Sequence, residues 1–421
     1  MKTETVVENG FKETEIGLMP KSWQVRTVKN TCEKPQYGYT ESASDKPIGP
    51  KFLRITDITD KGVDWLKVPY CKCPQELINK YKLEKGDILF ARIGATTGKS
   101  FIVEKCPFAV YASYLIRLRT KTELNPMYLY YFFNSEMYWK QIDAHKGSSL
   151  KKGVNGSILA SLIFPFPEKP EQQKIAFVLS KIQQAIEQQD RIIETTKELK
   201  KSVMNKLFRE GLHGEEQKET EIGLMPKSWR IVKLGDNDIV KVIMGQSPPS
   251  STYNTMKEGL PFFQGKAEFG DIYPKAKKYC SKPNRIANEG DILLSVRAPV
   301  GDVNLSPFIC CIGRGLAAIR CKDKLNNYFL FNYLLQSKNK IASLGDGSTF
   351  KAIGKTVVKN IRFPLPERKE QDEITNIFSN TDKKISQAKS KKQTFRALFR
   401  TMLNQLMTGK VRVKDFDFEV N

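Results

Sequence analysis

Apolar residues recur in alternating steps of four and three over two long stretches that contain neither Pro nor Gly. In the first, 171–209, they fall at Ile175, Leu179, Ile182, Ile186, Ile193, Val203 and Leu207, with Gln189, Thr196 and Lys200 interrupting the stripe. The second keeps the register through Ile374, Phe378, Thr381, Ile385, Ala388, Phe395, Phe399, Met402 and Leu406. This spacing predicts helices carrying an a/d seam of about five heptads. Pro170 suits a first helical turn, and Gly211 and Gly409 suit the stops. At 1.5 Å per residue each helix is a rod of roughly 58 Å. A stripe of that length needs a partner. Either the two rods pack antiparallel about a pseudo-twofold axis, with globular modules at opposite ends, or each lies on its own domain.

Outside the rods the chain is written twice. KETEIGLMPKSW occupies 12–23 and returns letter for letter at 218–229, a shift of 206. Gly86-Asp87-Ile88-Leu89 matches Gly290-Asp291-Ile292-Leu293 at a shift of 204, and Gly147-Ser148-Ser149 matches Gly347-Ser348-Thr349 at 200. Phe-Pro-x-Pro-Glu at 164–168 and 363–367, followed by Glu171-Gln172 and Glu370-Gln371, closes each copy at a shift of 199. A slowly drifting shift means two copies of one fold with small insertions. The text between, 30–82 against 236–286, hardly matches. A shared framework with unlike inserted surface suits two modules that bind different targets.

The modules read as mixed α/β, richer in strands and turns than in helices. GDILFARI (86–93) and GDILLSVR (290–297) predict buried strands entered by a Gly-Asp turn, and 127–139 and 325–335 predict short helices. The aromatics of those helices suit a core better than a base-stacking surface.

Charge narrows the partner. Over 421 residues, 69 Lys and Arg face 46 Asp and Glu, a surplus of 23 positive charges. The helical stretches 170–211 and 368–410 account for two and six of these, which leaves 15 mainly on the modules. A polyanion is implied, nucleic acid first and an acidic membrane surface second. No apolar run is long enough to span a bilayer, and the N-terminal sequence lacks a signal-peptide pattern, so a soluble cytoplasmic protein is expected. The two histidines and eight cysteines show no zinc spacing, and reduced thiols are the expected state.

Catalytic patterns are weak. Gly94 to Ser100 follows a strand and approximates a phosphate loop, but it has three residues between its glycines where four are required, and the following residues look extended. No dinucleotide fingerprint, no Asn/Asp-Pro-Pro-aromatic methyltransferase motif and no acidic nuclease constellation is present. The pattern is that of a reader rather than an enzyme, with a stand-alone ATPase or nuclease, or a non-specific coiled-coil scaffold, as the alternatives.

The order of these elements, given twice, resembles the specificity (S) subunit of type I restriction–modification enzymes. The residues that carry the likeness are Ile16, Gly17, Met19, Pro20 and Trp23 with Ile222, Gly223, Met225, Pro226 and Trp229, the Gly-Asp-Ile-Leu strands, the Gly-Ser-Ser/Thr turns and the Phe-Pro-x-Pro-Glu helix entries. The resemblance implies an α/β (α+β) chain, a pseudo-twofold tandem repeat of two target-recognition domains separated by two long antiparallel coiled-coil helices. Its segments are 1–167 and 213–366 for the domains, 168–212 and 367–410 for the helical regions, and 411–421 as a tail. It implies a prokaryotic partner set of bipartite double-stranded DNA, two methyltransferase (M) subunits and, through them, restriction (R) subunits. S-adenosylmethionine, ATP and Mg are expected on those partners only. Relatives often carry Thr-Pro-Ser in the first recognition loop; the corresponding stretches here are 37–40 and 245–249.

Turn-borne polar and basic groups are the candidate DNA contacts, placing the backbone and reading base edges. In the first module these are Arg54, Thr56, Arg92, Thr97, Lys99, Ser148, Ser149, Lys151 and Lys152. In the second they are Gln246, Ser247, Gln264, Lys266, Arg297, Ser348, Thr349 and Lys351. Arg92 and Arg297 lead because they end matching strands.

Overall fold

The structure, a computed structural model, describes residues 10–59, 62–146, 153–345 and 352–413. Both predicted rods are helices, Lys169–Glu210 and Arg368–Met407. Buried positions in the first include Ile175, Leu179, Ile186, Gln189, Ile193, Thr196, Lys200 and Leu207, the four-three rhythm of the seam. The three polar residues that interrupt the apolar stripe therefore lie inside it. None of the helices among the described residues is long and apolar enough to cross a membrane.

The chain forms two compact units, Met1–Gln188 with Lys391–Asn421, and Gln189–Ser390. The division cuts through both long helices instead of following the four consecutive segments. In the first unit, Ile175 and Leu179 from the start of one helix share a core with Leu403, Leu406 and Met407 from the end of the other. In the second, Met204, Leu207 and Phe208 share a core with Ile374 and Phe378. Each unit thus holds the start of one helix against the end of the other, which is antiparallel pairing. Apolar burial of this kind stabilises by about 25 cal/mol per Å² and supplies what an isolated amphipathic helix lacks.

The same sheet recurs in each unit. In the first, antiparallel strands Gln36–Tyr37, Leu115–Leu118, Ile88–Ala91 and Ser100–Ile102 lie side by side in that order. In the second the order is Val240–Met244, Leu316–Cys321, Ile292–Ser295 and Val303–Leu305. Around this shared sheet the units differ. The first adds a parallel pair, Lys51–Leu53 with Ala109–Tyr111, where the second builds a five-stranded sheet around Leu260–Phe263 and Cys310–Ile312. The predicted eight-residue strands are four residues long. The predicted helix 127–139 is two, Pro126–Phe132, which ends at its cap Phe133, and Glu136–Lys146, which Ser135 caps by accepting from Tyr138 N. Its aromatics are core: Tyr128, Tyr131, Phe132 and Tyr138 are buried.

The repeated letters are explained by repeated bonds. Trp23 Nε1 donates to Glu171 Oε2 at 2.9 Å, and Trp229 Nε1 donates to Glu370 Oε2 at the same distance. Gln172 accepts from Asn125 N at 2.8 Å and donates to Pro167 O at 2.9 Å; Gln371 accepts from Asn326 N at 2.7 Å and donates to Pro366 O at 2.9 Å. The Gly-Asp turns place Asp87 and Asp291 in the interior, each bonded to an arginine, Arg119 just past the neighbouring strand and Arg320 within it. Buried polar groups so satisfied fix one geometry, since leaving any partner unpaired costs about 1–3 kcal/mol. In the first unit the tail joins this network, with Arg412 forming a bidentate pair with Glu171.

Candidate nucleic-acid interface

In the second unit the loop after strand Val240–Met244 runs beside the turn 313–315. Gly245 N donates to Leu316 O at 2.9 Å, and Gln246 N donates to Ile312 O at 3.1 Å. A Cβ on Gly245 would lie 2.2 Å from Gly313 O, so only glycine permits this approach. Two further segments close on the turn: Gly313 N donates to Phe263 O at 2.8 Å and Val296 N to Gly315 O at 2.9 Å. Four backbone segments therefore converge at one end of the sheet. They bring together Gln246, Ser247, Gln264 and Arg297 from three places in the sequence; Gln246, Gln264 and Arg297 are exposed.

The first unit builds the same platform with different letters. Gly38 N donates to Leu115 O at 3.1 Å, Tyr39 N to Tyr111 O at 2.8 Å and Arg92 N to Tyr114 O at 3.0 Å. A Cβ on Gly38 would again lie 2.2 Å from a carbonyl oxygen, that of Ala112. The bonding makes Gly38-Tyr39-Thr40 the counterpart of Gly245-Gln246-Ser247. It also shows that the two lead arginines are not equivalent: Arg92 aligns with buried Val296, and Arg297 aligns with Ile93. Both lie just past the strand ends. Arg92 is exposed and stacks over the Tyr37 ring at 5.1 Å, with Gly153 packed against its carbonyl.

The other candidates divide by what already holds them. Arg54 forms a bidentate pair with Asp57 at 2.8 and 3.0 Å, a bond that raises its pKa further. Lys266 pairs with Asp302 at 2.8 Å, and Lys338 reaches the same carboxylate. A cation so neutralised has less charge to offer a phosphate. Thr56 is exposed on the single turn Ile55–Asp57. Thr97 Oγ1 donates to Gly94 O at 2.7 Å, which makes it a turn-former, and exposed Lys99 follows in the same turn. That turn leads into strand Ser100–Ile102, so no helix N-terminus faces it and the likeness to a phosphate loop ends there. Ser148, Ser149, Lys151, Lys152, Ser348, Thr349 and Lys351 lie outside the described residues. Ala352, directly after the last three, bridges to Arg297.

Sequence reasoning passed over several residues of these platforms. Tyr37 is 40% and Tyr114 53% exposed, aromatic surface beside Arg92. Arg314 is exposed on the turn 313–315 of the second unit. The flanking glycines of Gly313-Arg314-Gly315 were the available signal.

The family described as "Type I restriction modification DNA specificity domain" matches residues 20–197 and 226–394. The chain is 41% identical over 417 residues to the "Putative type I restriction enzyme MjaX specificity subunit" of Methanocaldococcus jannaschii, covering 97% of this chain and 98% of that relative. It is 25% identical over 182 residues, 41% of this chain and 39% of the relative, to the EcoKI specificity subunit of Escherichia coli. A structure from work on complex assembly and conformational transition of the type I R-M system matches with a TM-score of 0.57 at 27% identity, over 93% of this chain and 99% of that one. The type I S subunit from M. genitalium shares the fold, with a TM-score of 0.62 at 18% identity over 91% and 96%.

Proposed function

The chain belongs to the type I restriction–modification DNA specificity family, and from that premise we propose that each platform reads one half of a bipartite double-stranded DNA site. The observation that carries this is the pairing of identical framework bonds with unlike tip residues: Tyr37, Tyr39 and Arg92 in one unit, Gln246, Ser247 and Arg297 in the other. One scaffold built twice with different tips has two targets. Lys and Arg on the modules supply the phosphate contacts that place each platform, and polar tips supply base-edge contacts. The long helices set the unread spacer between the half-sites.

The same helices dock two methyltransferase subunits, which carry S-adenosylmethionine, and through them restriction subunits that use ATP and Mg; the assembly acts in a prokaryotic cytoplasm. Leu199 and Leu398 support this docking. They are 57% and 42% exposed and stand 199 residues apart, the shift that aligns the two helices. Thr195 and Ser202 flank the first, Thr394 and Thr401 the second, an uncharged patch on otherwise charged rods. Two copies of one contact suit two copies of one partner. Leu199→Asp leaves a complex with a single methyltransferase subunit, measurable by native mass.

Exchange of 30–165 for the corresponding segment of a relative tests the DNA reading. Mapping of methylated adenines then shows one half-site altered and the other retained. A change in both halves, or in neither, overturns modular recognition.

A further inference from the structure

We infer that Arg314 is a specificity-determining residue of the second unit, reading a guanine in the major groove. The inference rests on the DNA-recognition function proposed above and adds a residue, a base and a mode of contact to it.

The backbone around Arg314 is held from several sides. Its own N–H donates to Ser247 Oγ at 3.2 Å, Gly313 N donates to Phe263 O, and Gly315 O accepts from Val296 N. Both flanking positions are closely packed, Gly315 too closely for any side chain. A Cβ on Gly313 would lie 3.1 Å from the Phe262 ring and 3.2 Å from Gln264 Cα, and one on Gly315 would lie 2.3 Å from Gln264 O. The turn is therefore rigid, and its one long side chain points away from it into solvent. Reading a base needs such a mount, because a guanidinium held on a loose loop loses the geometry that distinguishes one base edge from another.

The guanidinium is also unspent. Among the described residues it forms no hydrogen bond or ion pair, whereas Arg320 on the strand that follows the turn is bound to Asp291, and Lys266 to Asp302. The register that pairs Ser295 with Leu316 carries Arg297 and Arg314 toward the same end of the sheet, with Gln246 on the adjoining loop. Two exposed arginines and an amide beside one another form a surface of donors, and the arginine fork matches the O6 and N7 acceptors of guanine.

The fold does not require an arginine there. In the first unit the same turn, with the same bonding from the Gly38 loop and Arg92, carries half-buried Ser113 in place of Arg314 and exposed Tyr114 in place of Gly315. The backbone bonds to this turn recur in both units while its residues differ, Ala112-Ser113-Tyr114 against Gly313-Arg314-Gly315, and a position that changes on shared bonding is one that can set the target.

The test compares wild type, Arg314→Ala and Arg314→Lys, each as the full chain assembled with its methyltransferase subunits, on a library of duplexes and by mapping of methylated motifs. Thermal melts establish that the variants fold, and Arg314→Gln provides a further folded comparison. Discrimination for guanine at one position of one half-site is expected to fall about 5- to 150-fold in the Ala variant, the range of a lost bidentate contact, and by less in the Lys variant, whose ammonium can still donate to O6 and N7. The other half-site stays as in wild type. A uniform weakening on all sequences, with the slope of log affinity against log salt reduced by about one and full rescue by lysine, identifies a phosphate contact and overturns the inference. An unchanged motif overturns it too, while leaving two-platform recognition intact. A wild-type complex that selects no sequence refutes that recognition itself.

Discussion

The seam of the second unit contains a buried ion pair whose removal has a calculable consequence. Lys200 Nζ lies 2.6 Å from Asp382 Oδ2, and the Tyr328 hydroxyl donates to the same oxygen at 2.5 Å. The two charged side chains keep only 10% and 12% of their exposure. At an effective dielectric near 20 and this separation, the gross attraction is about 6 kcal/mol, which roughly offsets the cost of desolvating both ions. The intact pair therefore adds little net stability, but half of it is costly. Lys200→Met leaves a buried carboxylate with one neutral donor and is expected to destabilise the second unit by about 3–5 kcal/mol. For a unit of this size that corresponds to a fall in Tm of roughly 6–20 °C. The triple variant Lys200→Met, Asp382→Leu, Tyr328→Phe removes the whole group and should recover most of the loss. The first unit shows that an uncharged arrangement is possible, since the positions 199 residues away are Gln183 and Phe399, with Phe399 packed edge-on against Tyr131 at 5.9 Å. Calorimetry and urea unfolding of the full chain give both numbers. A loss below about 1 kcal/mol for the single variant, or a triple variant no better than the single, refutes the reasoning.

Three further outcomes follow from the same bonds. Gln371→Ala removes a fully buried amide, leaving Asn326 N, Pro366 O and Lys324 O without that partner, and should cost about 2–4 kcal/mol, read from the urea midpoint. Gly245→Ala drives a methyl to 2.2 Å from Gly313 O, so methylation mapping should show loss of the second unit's half-site motif and retention of the first's. Burial raises the pKa of Tyr111, Tyr128 and Tyr138 above the unfolded value of about 10, so stability is intact below about pH 10 and falls above it as the unfolded chain ionises first. Melts at rising alkaline pH, with tyrosinate absorbance, follow that loss.

Much of the architecture is legible in the letters. The rods follow from a period that survives polar interruptions, and the duplication from Trp23 and Trp229 with their surrounding motif. The compact units are less legible. Nothing in 168–212 announces that the start of this helix belongs with Leu403 and Leu406 while its end belongs with Phe378; pairing is decided by which apolar faces meet. The platform is harder still, since Gly38-Tyr39-Thr40 and Gly245-Gln246-Ser247 share only their glycine and are matched by hydrogen bonds. Among candidate contacts, sequence identifies cations but not their partners. Arg54 and Lys266 look as available as Arg92 until Asp57 and Asp302 are found beside them, three and 36 residues away.

The division between framework and tips has an energetic basis. Trp23, Gln172 and Asp87, with their counterparts in the second unit, are buried and bonded through their side chains, so almost any substitution there leaves an orphaned polar group or a void and costs stability. Arg314 and Gln246 are fixed through their backbones, and their side chains remain exposed. A substitution at such a position changes what the protein presents at a cost usually within about 0.5 kcal/mol, provided the neighbouring glycines are kept. Specificity can therefore drift while the fold is held, and one scaffold duplicated within a chain can come to read two different half-sites. The glycines at 38 and 245 are the exception among the tips, shared by both units because the platform closes only around them.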